Sequence, residues 1–202
     1  QHLWPGESVD IDGTFRAADA DLEYEVSGDI PVYVGAQGPH MIRMAAKHAD
    51  GVLYNGSHPR DMAWAAEQVE EGLDERPDER GEFDFAAYAS VSVADEEAAA
   101  REAARPPVAF IAGGAAPPVL DRHDLDRERA AEIGGAIEAG EFTEAFGLVS
   151  EAMIDAFCIA GTPEQVENEV EAVMEYADSF VVGAPLGPDL ERAVELAGRV
   201  LN

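Results

Sequence analysis

The chain has 202 residues, 47% of them hydrophobic, and carries a formal net charge of -29, with 42 acidic residues against 13 basic ones. That is enough apolar content for one sizeable core, yet no run approaches the roughly 18 to 20 apolar residues of a membrane span. The single cysteine, Cys158, excludes an intrachain disulfide and a cysteine metal cluster, and the acidic field repels nucleic acid and anionic membrane.

The only lysine is Lys47. The carboxylates are spread over helical segments such as "AAEQVEEGLDER" and "GTPEQVENEVEAVMEY" rather than gathered in a tail. A docking surface for a cationic partner would explain this. A solvated acidic surface of the halophile kind explains it better, because high salt screens the self-repulsion. No basic leader with an apolar core is visible, so the expected location is cytoplasmic. Gln1 in place of a methionine suggests a piece of a longer protein.

Residues 1 to 30 carry turn signals, Pro5-Gly6, Asp12-Gly13 and Ser27-Gly28, that predict a small hairpin. "DIPVYVGA" then reads as an apolar strand buried on both faces, as in a parallel sheet. "PHMIRMAAKHA" follows, with Met41, Met44, Ala45 and His48 at helical spacing. Asp50-Gly51 turns the chain into a second strand, "VLYN". Ser57 or His58 is placed to cap the next helix, with Pro59 at its first turn and Met62, Ala65, Ala66, Val69 and Leu73 on its inner face.

A third strand, "EFDFAAYASVSVA", sets Phe83, Phe85, Ala87, Ala89, Val91 and Val93 against Asp84, Tyr88, Ser90 and Ser92. The helix "DEEAAAREAA" is expected to stop at Pro106-Pro107. Residues 106 to 160 read as a helical insertion broken by Gly113-Gly114, Pro117-Pro118 and Gly134-Gly135. "GTPEQVENEVEAVMEYA" carries a capping box of Thr162 and Gln165 with Pro163 at the first helical position. "SFVVGAP" is the fourth strand and "GPDLERAVELAGRVL" the closing helix. Strand and helix alternate four times in one domain, 1 to 202. That predicts an α/β fold of parallel βα units, either a small open sheet or half of an eightfold barrel of about 250 residues.

The turn "GAQGP", residues 35 to 39, opens at the carboxyl end of a buried strand, where ligands of α/β proteins sit. Gly35 and Gly38 let backbone approach a ligand, and Pro39 with the helix dipole favours an anion such as phosphate. Tight strand-to-helix packing would explain the same glycines, and spacing alone leaves the two readings level. Asn55-Gly56-Ser57 repeats the design one unit later, and Gly183-Ala184 ends the last strand similarly. Three such ends on one face favour an anionic cofactor tail resting against the backbone.

The five histidines lack metal-ligand spacing, so no metal site is expected, and His40 and His48 suit a helix surface. Ser90 and Ser92 could line a site, although serine in a strand is usually structural. No nucleophilic triad is legible.

With "IPVYVGAQGP", "ADGVLYN", "DAFCIAGTPEQV" and "FVVGAPLGPD" in view, the chain resembles the luciferase-like superfamily of flavin and deazaflavin oxidoreductases. Within it, it is most similar to methylenetetrahydromethanopterin reductases, in a haloarchaeal form given the charge. The resemblance implies the carboxyl-terminal half of an eightfold TIM-type barrel, with the amino-terminal half missing and 106 to 160 walling the substrate side. It implies coenzyme F420, with FMN as the alternative, held by Gly35, Ala36, Gln37 and Gly38 and, near the same place, Asn55 and Gly56. It implies hydride transfer to the methylene carbon of a pterin substrate. The family's acidic residues at the hydride centre would lie in the missing half, so no catalytic residue is named, and the piece alone is expected to be inactive. The rival readings are another luciferase-like enzyme, a flavin-dependent monooxygenase or F420-dependent dehydrogenase, and a non-catalytic half-barrel association module. Open sheet edges make a homo-oligomer the expected state.

Overall fold

The computed structural model describes residues 6–24, 26–28 and 30–200, in two compact units, Gln1–Val32 and Tyr33–Asn202. In the first, β1 (Val9–Asp12) and β2 (Arg16–Ala20) pair antiparallel across the Asp12-Gly13 turn, the hairpin its turn residues predict. Pro5 lies outside the described residues.

The second unit is built on a wholly parallel, five-stranded sheet of β3 (Tyr33–Gly35), β4 (Gly51–Asn55), β5 (Asp84–Val93), β6 (Ile159–Gly161) and β7 (Ser179–Leu186). The long strand β5 organises it. β4 pairs with its first half, from Gly51 opposite Asp84 to Asn55 opposite Tyr88. β6 pairs with its last residues, Val91 opposite Ile159. β7 pairs along Ala86 to Ser92, overlapping both registers, so it occupies the opposite edge of β5.

Being central, β5 is covered on both faces, and Ser90 and Ser92 are buried rather than on an outward face. The Ser92 hydroxyl donates to the carbonyl of Ala100 at 2.7 Å, the Ser90 amide donates to Ser57 Oγ at 3.0 Å, and no buried side-chain polar atom among the described residues lacks a partner. They are structural. β3 departs from expectation in the other direction. It is three residues long with Tyr33 and Gly35 exposed, because among the described residues only β4 pairs with it. The sheet has one strand more than the four predicted. Ile159–Gly161 is too short to show a strand period, and it directly follows a helix.

The helices α1 (Pro39–His48), α2 (Pro59–Leu73), α8 (Pro163–Met174) and α9 (Leu190–Val200) cover the sheet. Ile42, Met62, Val69, Val166, Val173 and Leu196 meet Val52, Phe85, Val91 and Val93 in one core. The inner face of α1 is Ile42, Ala45, Ala46 and Ala49, one residue round from the predicted stripe, and Met41 and Met44 are exposed. On α2 the inner face also takes Asp61, Gln68 and Gly72, while Leu73 is exposed. Arg76 ties the carboxyl end of α1 to the next loop by donating to the carbonyls of Ala46, Ala49, Arg80, Gly81 and Glu82.

A second, all-helical core is formed by α3 (Glu97–Gly114), α4 (Pro117–Arg122), α5 (Arg127–Glu138), α6 (Phe142–Leu148) and α7 (Glu151–Phe157). The helix expected over "DEEAAAREAA" and the insertion expected from 106 are thus one continuous helix at their junction, and residue 160 lies within β6. The expected stop at Pro106-Pro107 does not occur: α3 runs through both prolines. Each removes an i→i−4 bond at a cost of about 3 kcal/mol, and tertiary contacts offset this. Ala104, Val108, Ala109 and Ala112 are buried in the second core, and Arg101 and Arg105 clamp α3 to Glu151 at 2.7 and 2.6 Å. Of the predicted breaks, Gly113-Gly114 and Pro117-Pro118 hold, since α3 ends at Gly114 and α4 starts at Pro117, whereas Gly134-Gly135 do not and lie inside α5.

Candidate functional site

At the carboxyl end of β3 the chain passes through Ala36-Gln37-Gly38 into α1, whose first residue is Pro39. The Ala36 amide donates to the Leu53 carbonyl at 3.2 Å, which fixes the turn to β4. Gly38 is the residue before the helix, with an ordinary φ of -94°. A Cβ added at Gly35 or Gly38 meets nothing within 4 Å. Neither close packing nor backbone strain therefore requires glycine at these two positions, and the packing explanation falls away. What they leave is bare backbone beside the amino end of a helix, open to an approaching group.

The other two glycine turns differ. A Cβ at Gly56 would stand 2.6 Å from the ring of Tyr54 and 3.1 Å from Met62 Sδ. At Gly183, inside β7 rather than at its end, it would stand 2.8 Å from the carbonyl of Ala89. Both are explained by packing.

A cavity of about 310 Å³ opens between the end of β4, the start of α2 and the second helical core. Its polar lining is Gln37, Asn55, Ser57 and Asp61; its apolar lining includes Tyr54, Phe110, Ile111, Val119 and Phe157. Of the predicted site residues, the structure brings Gln37, Asn55 and Gly56 together on this cavity. Gly35, Ala36 and Gly38 are not on its wall: Ala36 is buried, and the two glycines lie on exposed turn backbone around Gln37. The volume sits at the lower end of the range for small-ligand sites, roughly 300 to 1,000 Å³, with the usual apolar wall and few polar groups.

Sequence reasoning missed the charged centre of the wall. Asp61, in the first turn of α2, is only 4% exposed. Arg122 donates to its Oδ1 at 2.5 Å, and His123 Nε2 lies 2.8 Å from its Oδ2. Burial pushes the Asp61 carboxyl up, but the hydrogen bonds from His123 and Arg122 outweigh it and hold the group below the usual carboxylate range. The Arg122 guanidinium also lies over the Trp64 ring, 4.4 Å from its centroid. His58 caps α2, its Nδ1 accepting from the Arg60 amide at 3.0 Å, and its ring meets His123 edge-on at 4.8 Å. Burial, then the neighbouring His123, lowers its pKa. Tyr54 is pushed up to about 12, first by burial and then by Asp61. Neither Asp61 nor Tyr54 is a ready base. Asp61 has both oxygens engaged and Tyr54 stays protonated.

Beyond His58 a second cleft of about 350 Å³ is lined by Arg101, Asp155, Cys158 and Glu169 among others. Burial pushes the Cys158 thiol up to about 12, which makes it a poor nucleophile. Among the described residues no group of three or more His, Cys, Asp or Glu could hold a metal, and no helix is long and apolar enough to cross a membrane.

A family model described as Luciferase-like monooxygenase matches residues 1–182. The chain belongs to the luciferase-like family. Among its curated relatives, this luciferase-like chain is 42% identical over 198 residues to the 5,10-methylenetetrahydromethanopterin reductase of Methanopyrus kandleri, covering 96% of this chain and 57% of that protein. It is 39% identical to the reductase of the same name from Methanolobus tindarius, covering 96% and 60%. A solved structure of the coenzyme F420 dependent tetrahydromethanopterin reductase of Methanopyrus kandleri superposes with a TM-score of 0.88 at 41% identity, over 98% of this chain and 58% of that one. The chain thus spans about three fifths of the length of these relatives.

Proposed function

We propose that this chain is the carboxyl-terminal, cofactor-tail-binding part of a coenzyme F420-dependent methylenetetrahydromethanopterin reductase. The observation that carries the reading is the glycine turn, 35 to 38. Among the described residues nothing lies within 4 Å of a Cβ at either of its glycines, beside a cavity carrying Gln37, Asn55 and Ser57. The likeness to archaeal reductases at about 40% identity supports the same assignment.

The residues present suit an anionic, partly aromatic cofactor. The turn 35 to 38 and the start of α1 offer unobstructed backbone to a phosphodiester. Gln37 and Asn55 offer amide donors and acceptors, and Tyr54, Phe110 and Phe157 offer apolar surface for a ring. Arg122 pairs with Asp61 and His123 hydrogen-bonds to it, so the buried carboxylate does not repel the guest. When bound, F420 supplies the hydride; the protein orients the two reactants and excludes water between them. The helical segment 97 to 157 walls the pterin side. The carrier is methanopterin or its folate analogue. Two open sheet edges and a length of about three fifths of the relatives' support the half-barrel architecture, and a homo-oligomer in the cytoplasm at high salt completes the proposal.

The test is a spectrophotometric assay of the full protein in molar KCl, following oxidation of reduced F420 on adding methylenetetrahydromethanopterin or methylenetetrahydrofolate. Turnover with one carrier establishes the reading. Flavin absorbance in the purified protein, with turnover of reduced FMN instead, would replace it by the flavin-dependent monooxygenase alternative.

A further inference from the structure

We propose that Asp61, Arg122 and His123 form a latch that holds α4 as a movable wall of the cavity and thereby sets how tightly F420 is retained. The proposal rests on the cofactor reading above. α4 has six residues, of which Leu120 alone is buried. So short a helix does not stabilise itself, and its position must come from what it touches.

Those contacts lead to the start of α2. Arg122 and His123, at the end of α4, both bind Asp61. The Arg122 carbonyl accepts from Arg60 Nη1 at 2.7 Å, and its guanidinium covers Trp64. His123 sits between the rings of His58 and Phe157, at 4.8 and 5.9 Å. The chain just before the latch, Gly114, Ala115 and Val119, lines the cavity, and so does Asp61 itself. Releasing Arg122 and His123 from Asp61 therefore frees the wall facing Tyr54 to Ser57. Both Asp61 oxygens are occupied by the latch, so its role is positioning rather than proton transfer. The chemistry is also lopsided. One buried carboxylate serves two cationic or polar partners, so loss of the carboxylate undoes both contacts at once.

The experiment combines hydrogen exchange with F420 fluorescence titration on the full protein and its Asp61→Asn variant. In Asp61→Asn the amides of 115 to 123 are expected to exchange at least about tenfold faster, with β5 and α5 unchanged, and F420 to dissociate faster by a similar factor. By linkage, saturating F420 slows exchange of 115 to 123 in the unmutated protein. Replacing all three together, Asp61→Leu with Arg122→Met and His123→Leu, refills the site with apolar volume, leaves none of the three groups unpaired and restores slow exchange of the segment. Unchanged exchange of 115 to 123 in Asp61→Asn overturns the latch, as does acceleration spread evenly over both cores. Local acceleration with unaltered F420 dissociation overturns its part in retention. If the unmutated protein does not bind F420 at all, the cofactor reading fails, and the exchange of 115 to 123 still decides whether the latch exists.

Discussion

Gly113 of α3 lies directly against Gly134 of α5: a Cβ on Gly113 would stand 3.0 Å from both the amide nitrogen and the Cα of Gly134, and one on Gly134 would stand 2.9 Å from the Gly113 carbonyl. The two helices therefore touch backbone to backbone beside the second core. Gly134→Ala is expected to lower stability by about 1 to 3 kcal/mol, because overpacking against fixed backbone outweighs the roughly 1 kcal/mol gain in helix propensity. Its neighbour supplies the control. A Cβ on Gly135 meets nothing within 4 Å, so Gly135→Ala should stabilise by up to about 1 kcal/mol. Denaturant melts of both variants at one salt concentration check the pair, and a stabilising Gly134→Ala would refute the close approach.

The glycine turn makes the opposite kind of prediction. Because Gly35 and Gly38 face open space, Gly35→Val and Gly38→Val should fold with melting points close to the parent. F420 affinity should nevertheless fall at least about tenfold, an effect of about 1.4 kcal/mol, since the new side chain stands where the cofactor's tail approaches. Titration of F420 fluorescence measures it. Unaltered affinity in a well-folded Gly38→Val protein would move the tail site elsewhere.

These positions also show what the sequence makes legible. The alternation of "VLYN", α2 and β5 reveals the parallel α/β plan because continuous apolar strands and proline-started helices are local signals. Helix faces are less clear where alanine is abundant. α1 was one residue out because Ala45, Ala46 and Ala49 are apolar in every register, and the more hydrophobic Met41 and Met44 lie outside. β6 is three residues long and has no period to read. The prolines of α3 are overruled by contacts from Glu151 and Val149, more than 40 residues away. Half of the candidate site was visible in Gln37, Asn55 and Gly56. The other half joins residues near 61, 111 to 123 and 157, a juxtaposition only the fold creates. Asp61 was hidden among 42 acidic residues, although its place on the Ala65, Gln68 and Gly72 face of α2 marks it as the unusual one.

Asp61 has its own pH signature. Its folded pKa is held below the ordinary carboxylate value by His123 and Arg122, against the upward push of burial. A depressed pKa adds stability that is complete above the unfolded value of about 4 and is lost as pH falls through the folded value. The stability difference between the parent and Asp61→Asn should therefore be constant from neutral pH down to about 4 and shrink below it. Paired denaturant melts from pH 7 to 3 give the difference directly and cancel the titration of the other carboxylates. A difference that persists undiminished at pH 3 would show that the carboxylate charge is not what the site uses.

The net charge of -29 with a single lysine leads to a dependence on salt. Unscreened, the surface carboxylates repel one another, and screening lengths shrink from about 10 Å at 0.1 M to about 3 Å at 1 M salt. The melting point should rise strongly and continuously from low to multimolar KCl. Surface pairs such as Arg43–Glu71 and Lys47–Glu75 weaken under the same screening, but exposed pairs contribute little to stability, so repulsion governs the trend. A flat series would reject the halophilic reading.

The 202 residues alone are expected to show no reductase turnover. In the second unit, β3 pairs only with β4 and β7 only with β5 among the described residues, so the sheet is open at both ends and the site's mouth is unenclosed. On the proposed reading, the wall that exists supplies orientation on one side only: Gln37, Asn55 and the turn at Gly35 for the cofactor tail, and the helices of the second core opposite. None of the titratable groups on this wall is free to assist the transfer, since Asp61 is held by two partners and Tyr54 is protonated at neutral pH. On the proposed reading, orientation and charge stabilisation at the reacting carbon come from residues outside this chain, and both act steeply on rate. F420 binding through the glycine turn should survive in weakened form, because part of the cofactor would still be covered. The decisive comparison assays this chain beside a version extended at its amino end to the full length of the Methanopyrus kandleri relative, with reduced F420 and methylenetetrahydromethanopterin in high salt. Turnover by the short form equal to that of the long one would sink both the half-barrel architecture and the assignment of catalysis to residues beyond this chain.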